Sequence, residues 1–373
     1  MKWKTGLIVA TALLAIGFIK PVSAADLNYG KPGEPVKLVV GYQPYYTQAW
    51  SGLVMRGKKF YENYLPKGST VEFQIGLQGA IIVNAMLAGK QHIGYMGDMP
   101  AIVSTTKQDV ADVRLVANLG LAHDQCNIFL AKKGAPDFAN ANEAIKWLDG
   151  KNVAVPKGSC TDRFAQAVFK KTGVQPKAFL NQNIEVITSN FRANKIDAAV
   201  IWEPTASRLV EEGLAKRIAS GISVKENDAA FMAMRADLIK QRPDIVKAWL
   251  QAELDAQLFL ADPKNAQEVV KMATEQTTGF SEKVLWTAAF GQFPENVGGA
   301  PVRNELHYTF TEPTLELINR STVFLNEIKS INVNKLRPEA IMPEFTQAIL
   351  KERGLKSPVG VIKAQPLTAY VGK

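Results

Sequence analysis

The chain has 373 residues, 47% hydrophobic and 21% charged, which describes a globular protein and excludes a disordered or fibrous one. That length exceeds what one core usually serves, so two lobes are expected. The formal charge of +9 rests on scattered residues such as Lys58, Lys59, Lys170, Lys171 and Lys351, without interleaved aromatics; this argues against nucleic acid and supports only a mild attraction for anions.

Lys2 and Lys4 precede a mostly apolar run from Gly6 to Ile19, and Val22, Ser23 and Ala24 stand before Ala25. This is the order of a secretory signal peptide over residues 1–24, cut near Ala24. Lys20 and Pro21 interrupt the run, which argues against a retained membrane anchor. Cleavage would remove three lysines and no acid, lowering the formal charge to +6. No Cys stands directly after the cleavage site, where lipid attachment would need one, and no later stretch is apolar for long enough to span a bilayer. A mature chain exported to a Gram-negative periplasm, with no membrane insertion, is expected. The two cysteines, Cys126 and Cys160, would then meet an oxidising compartment, either as one disulfide or as two small thiols; they are too few for a metal cluster.

In chain order, VKLVVG over 36–41 reads as a buried strand, left by a loop carrying Tyr42, Gln43, Tyr45 and Tyr46. A helix over 50–64 is predicted, ending before Pro66, then a strand over 71–75, then a helix over 80–88 opened by Gln78 and Gly79. Gly89 suits the left-handed residue after that helix, and Ile93 to Tyr95 read as a strand. Gly97 permits a hard turn there, Asp98 is placed to cap the next helix, and Pro100 falls in its first turn. Strand, loop and helix recur, which predicts a parallel sheet with covering helices and ligands at the strand ends. The apolar stretch 113–121 continues through His123, Asp124 and Cys126 into an extended 127–131, read as a crossing between lobes. A helix over 142–148, a strand over 152–155, a helix from Thr161 to Lys171, strands over 184–186 and 198–202 and a helix from Pro204 to Glu212 follow. Residues 219–228 read as a turn-rich loop and 229–234 as a strand crossing back. Helices over 243–260, 263–274, 281–290, 312–328 and 343–351 complete the chain, with a Gly/Pro-rich loop over 293–303.

The unusual side chains gather at the predicted strand ends. Ser159, Cys160 and Thr161 open a helix, where backbone N–H groups and hydroxyls can hold an anion, or where Ser159 or Thr161 merely caps. Trp202 could pack on the apolar part of a ligand and leave Glu203 for a donor group, or be a core Trp beside a capping acid. His123, Asp124 and Cys126 invite a metal or thiol enzyme, but His92 and His307 sit in unrelated contexts, and nothing fixes the geometry of a nucleophile pair. The tyrosines at 42, 45 and 46 either wall the site or pack beneath the first helix.

VKLVVGYQPYY, MLAGKQHIGYMGDMPAI, GKNVAVPKGSCTDRF and IDAAVIWEPTASRLV, in that order, resemble the nitrate/sulfonate/taurine group of periplasmic substrate-binding proteins of ABC importers. The resemblance spans about 36–350, and the order of motifs is more specific than any one of them. It implies an α/β, two-lobed periplasmic binding protein fold of type II-like form, with two strand crossovers between lobes and the ligand in the interlobe cleft. Lobe I is expected over 25–121 plus 229–373, and lobe II over 122–228. Carried over, the contacts come from Gln43, Tyr46, Gln78, Gly97, Asp98, His123, Cys126, Ser159, Cys160, Thr161, Trp202 and Glu203. No catalytic residue, metal or cofactor is implied; the partners are a small-molecule ligand and ABC permease subunits, and a monomer is expected. Members binding sulfonate or taurine tend to carry small hydroxyl residues where this chain has Asp98 and Cys126. If Asp98, Asp124 and Glu203 face the cleft, they favour an amino-sulfonate or another zwitterion over nitrate. An aliphatic sulfonate, an aromatic sulfonate or a carboxylate is the ligand class. A pyrimidine or thiamine-precursor binder, an exported enzyme using Cys126 or Cys160, and a ligand sensor are the other readings, although the cysteine-rich motif of the related enzyme branch is absent.

Overall fold

The structure is a computed structural model that describes residues 27–372; the expected signal peptide, 1–24, lies outside the described residues. The described residues form twelve strands: β1 Lys37–Tyr42, β2 Thr70–Ile75, β3 Ile93–Gly97, β4 Val113–Ala122, β5 Ile128–Lys132, β6 Asn152–Val155, β7 Ala178–Asn181, β8 Ala198–Ile201, β9 Ala215–Ser220, β10 Asp228–Arg235, β11 Val302–Leu306 and β12 Gly360–Lys363. They form two sheets. Seven strands in the order β12-β11-β4-β10-β3-β1-β2 make the larger, and five in the order β7-β6-β8-β5-β9 the smaller.

Both sheets are mixed, which corrects the expected parallel arrangement. β2-β1-β3 and β7-β6-β8 are parallel, but β3 pairs antiparallel with β10, β10 with β4, and β5 with both β8 and β9. The reason is connectivity: the chain leaves the larger sheet along β4 and returns along β10, so the outgoing and incoming strands lie side by side in opposite senses. All eight residues of β10 are buried, as befits a central strand covered on both faces.

The extended stretch read as a crossing is divided. β5 belongs to the smaller sheet, and the connections are the short segments 123–127 and 221–227. They are tied to each other: the His123 ring Nδ1 bonds the Glu226 carbonyl at 2.7 Å, and Gly221 N donates to the Asn127 carbonyl at 2.9 Å. A Cβ on Gly221 would sit 2.3 Å from one backbone oxygen and 2.4 Å from another, so only glycine permits this approach.

Other expectations are corrected by local chemistry. The first helix stops at Lys58, because Lys59 takes a left-handed φ of 55° and a short 3-10 turn, Phe60–Asn63, follows. Residues 184–186 begin the helix Ile184–Arg192, not a strand; Ile184, Ile187, Thr188 and Phe191 share its buried face, and the Asn183 side chain accepts from Val186 N. The strand lies earlier, at β7. The turn-rich 219–228 holds the end of β9, the helix Gly221–Val224 and the first residue of β10. β11 and β12 were not foreseen.

The helix Pro243–Ala261, started by Pro243 in its first turn, packs its apolar face on the larger sheet's side of the chain against Trp50–Lys58. Trp249 stacks on Tyr61 with ring centroids 5.6 Å apart and donates its indole N–H to Tyr95 Oη at 3.0 Å. Tyr95 donates to Glu253 Oε2 at 2.9 Å, and Gln257 donates to Glu253 Oε1 at 2.9 Å. Burial pushes the Glu253 carboxyl up to about 7, against those hydrogen bonds. A carboxyl whose pKa is raised by folding is protonated more readily in the native state, so stability falls as pH climbs from about 4.5 through 7. The loss amounts to roughly 3 kcal/mol at most. Urea unfolding at about pH 5 and pH 8 should show this loss in the wild type and a flatter dependence in Glu253→Gln; equal slopes in the two proteins would remove Glu253 as its source.

Candidate functional site

The strand ends of both sheets converge. The loop after β1 brings Gln43 and Tyr46, the turn after β3 brings Gly97, the loop after β6 brings Ser159 and Cys160, and the end of β8 brings Trp202. With Gly79 and Pro100 they line one cavity of about 40 Å3. This space suits a small polar head group. The Tyr46 and Trp202 rings meet edge to face across it, centroids 6.5 Å apart.

Three helices start at this cavity: Gly79–Leu87, Asp98–Thr105 and Cys160–Thr172. Their N-cap residues, Gln78, Gly97 and Ser159, make no side-chain cap. Among the described residues, the first amides of the Gly79 and Cys160 helices find no acceptor. Positive helix ends and free N–H groups from both sheets therefore face one small volume, the usual condition for holding an anion without a bare cation. Gly79 is required here, since its Cβ would fall 2.3 Å from Pro100. Gly97 is not: its φ is −63°, and Asp98 is the first helical residue rather than the cap.

Gln43 is 5% exposed, and its Oε1 has no hydrogen-bond partner. Turned about its terminal bond, that amide presents N–H to the cavity instead. The hydroxyls are committed. Ser159 Oγ donates to the Pro156 carbonyl at 2.6 Å and so accepts from Thr161 Oγ1 at 2.6 Å; Thr161 is fully buried and lies outside the cavity lining.

The three acids do not face the cavity. Asp98, Asp124 and Glu203 are all fully buried. Asp98 accepts from its neighbour Met99 N at 2.7 Å and from Arg163 at 3.4 Å; burial pushes its carboxyl up, and Arg163 opposes that. Asp124 is held by Arg303 and, at 3.0 Å, by Arg217. Glu203 caps the next helix through Ser207 N at 2.9 Å and Ser207 Oγ at 3.0 Å, with Arg217 at 3.6 Å. Burial raises Glu203, and Arg303 and Arg217 oppose it. The ground for preferring a zwitterion from these acids is thereby removed. A fourth acid, Asp228, lies behind Tyr46; burial, with Asp98 adding, pushes its carboxyl well up, which favours the neutral form.

Cys126 and Cys160 are joined in a disulfide with Cα atoms 6.2 Å apart. Cys160 lines the cavity and Cys126 does not; the bond ties the helix start to the crossing segment. His123 faces the second crossing rather than the cavity. Gln78 lies in an adjoining groove with Pro156, Lys157 and Ser330. Trp202 walls the cavity, this groove and a third space. Of the tyrosines, Tyr46 faces the inner cavity, Tyr45 the third space, and Tyr42 packs edge to face on Phe73. Residues that sequence reasoning missed are Gly79 and Pro100 in the lining and the counter-charges Arg163, Arg217 and Arg303. The arginines carry no local motif; only the need of each buried acid for a partner could have pointed to them.

The NMT1-like family model matches residues 31–274. The taurine-binding periplasmic protein of Escherichia coli (strain K12) is 27% identical over 216 residues, 55% of this chain and 64% of that protein, so the chain matches under two thirds of that relative's length. The alkanesulfonate-binding protein SsuA from Xanthomonas axonopodis pv. citri, solved bound to MOPS, superposes with a TM-score of 0.64 at 16% identity, covering 84% of this chain and 99% of that one. The desulfurization enzyme DSZB superposes with a TM-score of 0.61 at 15% identity over 85% and 99% of the two chains. These structural likenesses establish a shared fold.

The acids make a stability prediction. Arg303→Met leaves Asp124 and Glu203 with Arg217 alone and should cost on the order of 3 kcal/mol in urea unfolding, with part of it regained in Arg303→Met/Asp124→Asn. Simple additivity of the two changes would show that the pair is not coupled.

Proposed function

We propose that this chain, which belongs to the NMT1-like family, is the solute-binding protein of an ABC importer, working as a monomer in the periplasm. It captures a small organic anion with a sulfonate-like head and delivers it to the permease. The observation that carries this reading is the meeting of three uncapped helix N-termini, from both sheets, at a cavity walled by Trp202 and Tyr46. Taurine and short alkanesulfonates are the first candidates, supported by the relation to the taurine-binding protein rather than by the buried acids.

In this reading the moving units are lobe I, 25–121 plus 229–373, and lobe II, 122–228, hinged at the two crossings. A ligand that meets amides from both lobes gains contacts only when they approach, so binding energy drives closure. The anion is held by backbone N–H groups of the Gly79 and Cys160 helices and the Gln43 amide, while Trp202 covers the apolar part. No chemical step is needed, and with Cys126 and Cys160 in a disulfide neither supplies a thiolate nucleophile. Exported enzyme and pyrimidine binder gain no specific support.

Thermal unfolding of the mature chain with taurine, ethanesulfonate, nitrate, benzenesulfonate and a hydroxymethylpyrimidine tests this directly. A raised midpoint with a sulfonate recovered unchanged is expected; no shift with any sulfonate, or a chemically altered ligand, would reject the reading. Trp202→Ala should weaken binding about tenfold or more, roughly 1.4 kcal/mol, with unchanged circular dichroism.

A further inference from the structure

Sharing Trp202 with the inner cavity is a second and larger space of about 240 Å3, lined by Tyr45, Thr278 and Phe280 and by Trp202, Thr205 and Arg208. The Arg208 guanidinium carbon sits 4.7 Å from the centre of the Phe280 ring, so the cation is stacked by its face and its N–H edge is left for other partners. Those partners are poor. Its nearest hydrogen bond is to Thr188 Oγ1 at 3.5 Å, Glu212 lies 3.8 Å from Nε and is shared with Arg192 at 3.0 Å, and the buried Nε has no hydrogen-bond acceptor. Glu185, the acid on the rim, is exposed and screened by solvent. Tyr45 and Phe280 are 5.9 Å apart, forming an aromatic wall opposite Trp202.

Three aromatic side chains line this space of about 240 Å3, whereas the inner cavity of about 40 Å3 has room only for a head group. We propose that this outer space is a second subsite, in which Arg208 takes the carboxylate of an aryl acid whose sulfonate occupies the inner cavity. The ligand class is then a sulfonated aryl carboxylate, its ring lying along Trp202. A guanidinium fork with free N–H edges matches a planar carboxylate better than any point cation would. This assignment rests on the reading of the inner cavity as a sulfonate site.

Isothermal titration of the mature chain with 4-sulfobenzoate, benzenesulfonate and taurine tests it. The wild type should bind 4-sulfobenzoate about tenfold or more tightly than benzenesulfonate; Arg208→Gln should abolish that advantage while changing benzenesulfonate affinity less than about twofold, and Arg208→Lys should keep part of it. Equal affinity of the wild type for the two aryl probes, or equal loss of both in Arg208→Gln, would overturn the second subsite and leave the inner one standing. Failure of the wild type to bind any of the three would overturn the sulfonate reading itself, and this proposal with it.

Discussion

Asp124 lies fully buried on the segment that leaves the larger sheet, between Arg217 of β9 in the smaller sheet and Arg303 of β11 in the larger. A carboxylate stripped of water costs several kcal/mol unless its partners are well placed, so the two arginines are a condition of its being there at all. Phe293 covers both guanidinium groups, 4.1 Å from one and 4.9 Å from the other, and shuts out the solvent that would weaken the pair. The loop carrying Phe293 also offers the Gly298 carbonyl to Arg217 and to Ser220 Oγ. The two crossings are therefore joined by a third contact across the sheets.

The same need for pairing decides the electrostatics of the cavity. Asp98, Asp124 and Glu203 each find an arginine or a capping amide behind the wall, so the polar lining of the cavity is set by helix N-termini and one amide. Such a surface is positive in polarity without a bare cation. Arg208, stacked on Phe280 at the outer end, is a cation lining the cleft from the side. Trp202 lines both the space beside Arg208 and the inner cavity.

Much of this was legible in the sequence. Gln43, Tyr46, Gly97, Ser159, Cys160 and Trp202 share one cavity because each closes a strand or follows one within a few residues, and strand ends can be read from apolar runs closed by turn residues. Gly89 and Gly173 close their helices in the left-handed region, as their positions after periodic runs suggested. Orientation was not legible. Whether Asp98 faces the cleft or Arg163 depends on a partner 65 residues away; Asp124 likewise answers to Arg303, far along the chain. β11 and β12 escaped because they are short and amid Gly- and Pro-rich sequence, and they pair only through a neighbour distant in sequence. The antiparallel senses of β10 followed from topology, which local periodicity does not carry.

The position of β10 has a consequence for biosynthesis. All five strands of the smaller sheet come from one uninterrupted stretch, 128–220, whereas β10 lies between β3 and β4 and follows that stretch directly. As the chain leaves the ribosome or the export channel N-terminus first, the smaller sheet has every strand it needs while the larger still has a gap at its centre. β10 fills that gap by pairing with both β3 and β4, and β11 and β12, later in the chain, then extend the sheet from the β4 edge, so the larger sheet is finished in two steps after the smaller rather than by the docking of two finished halves.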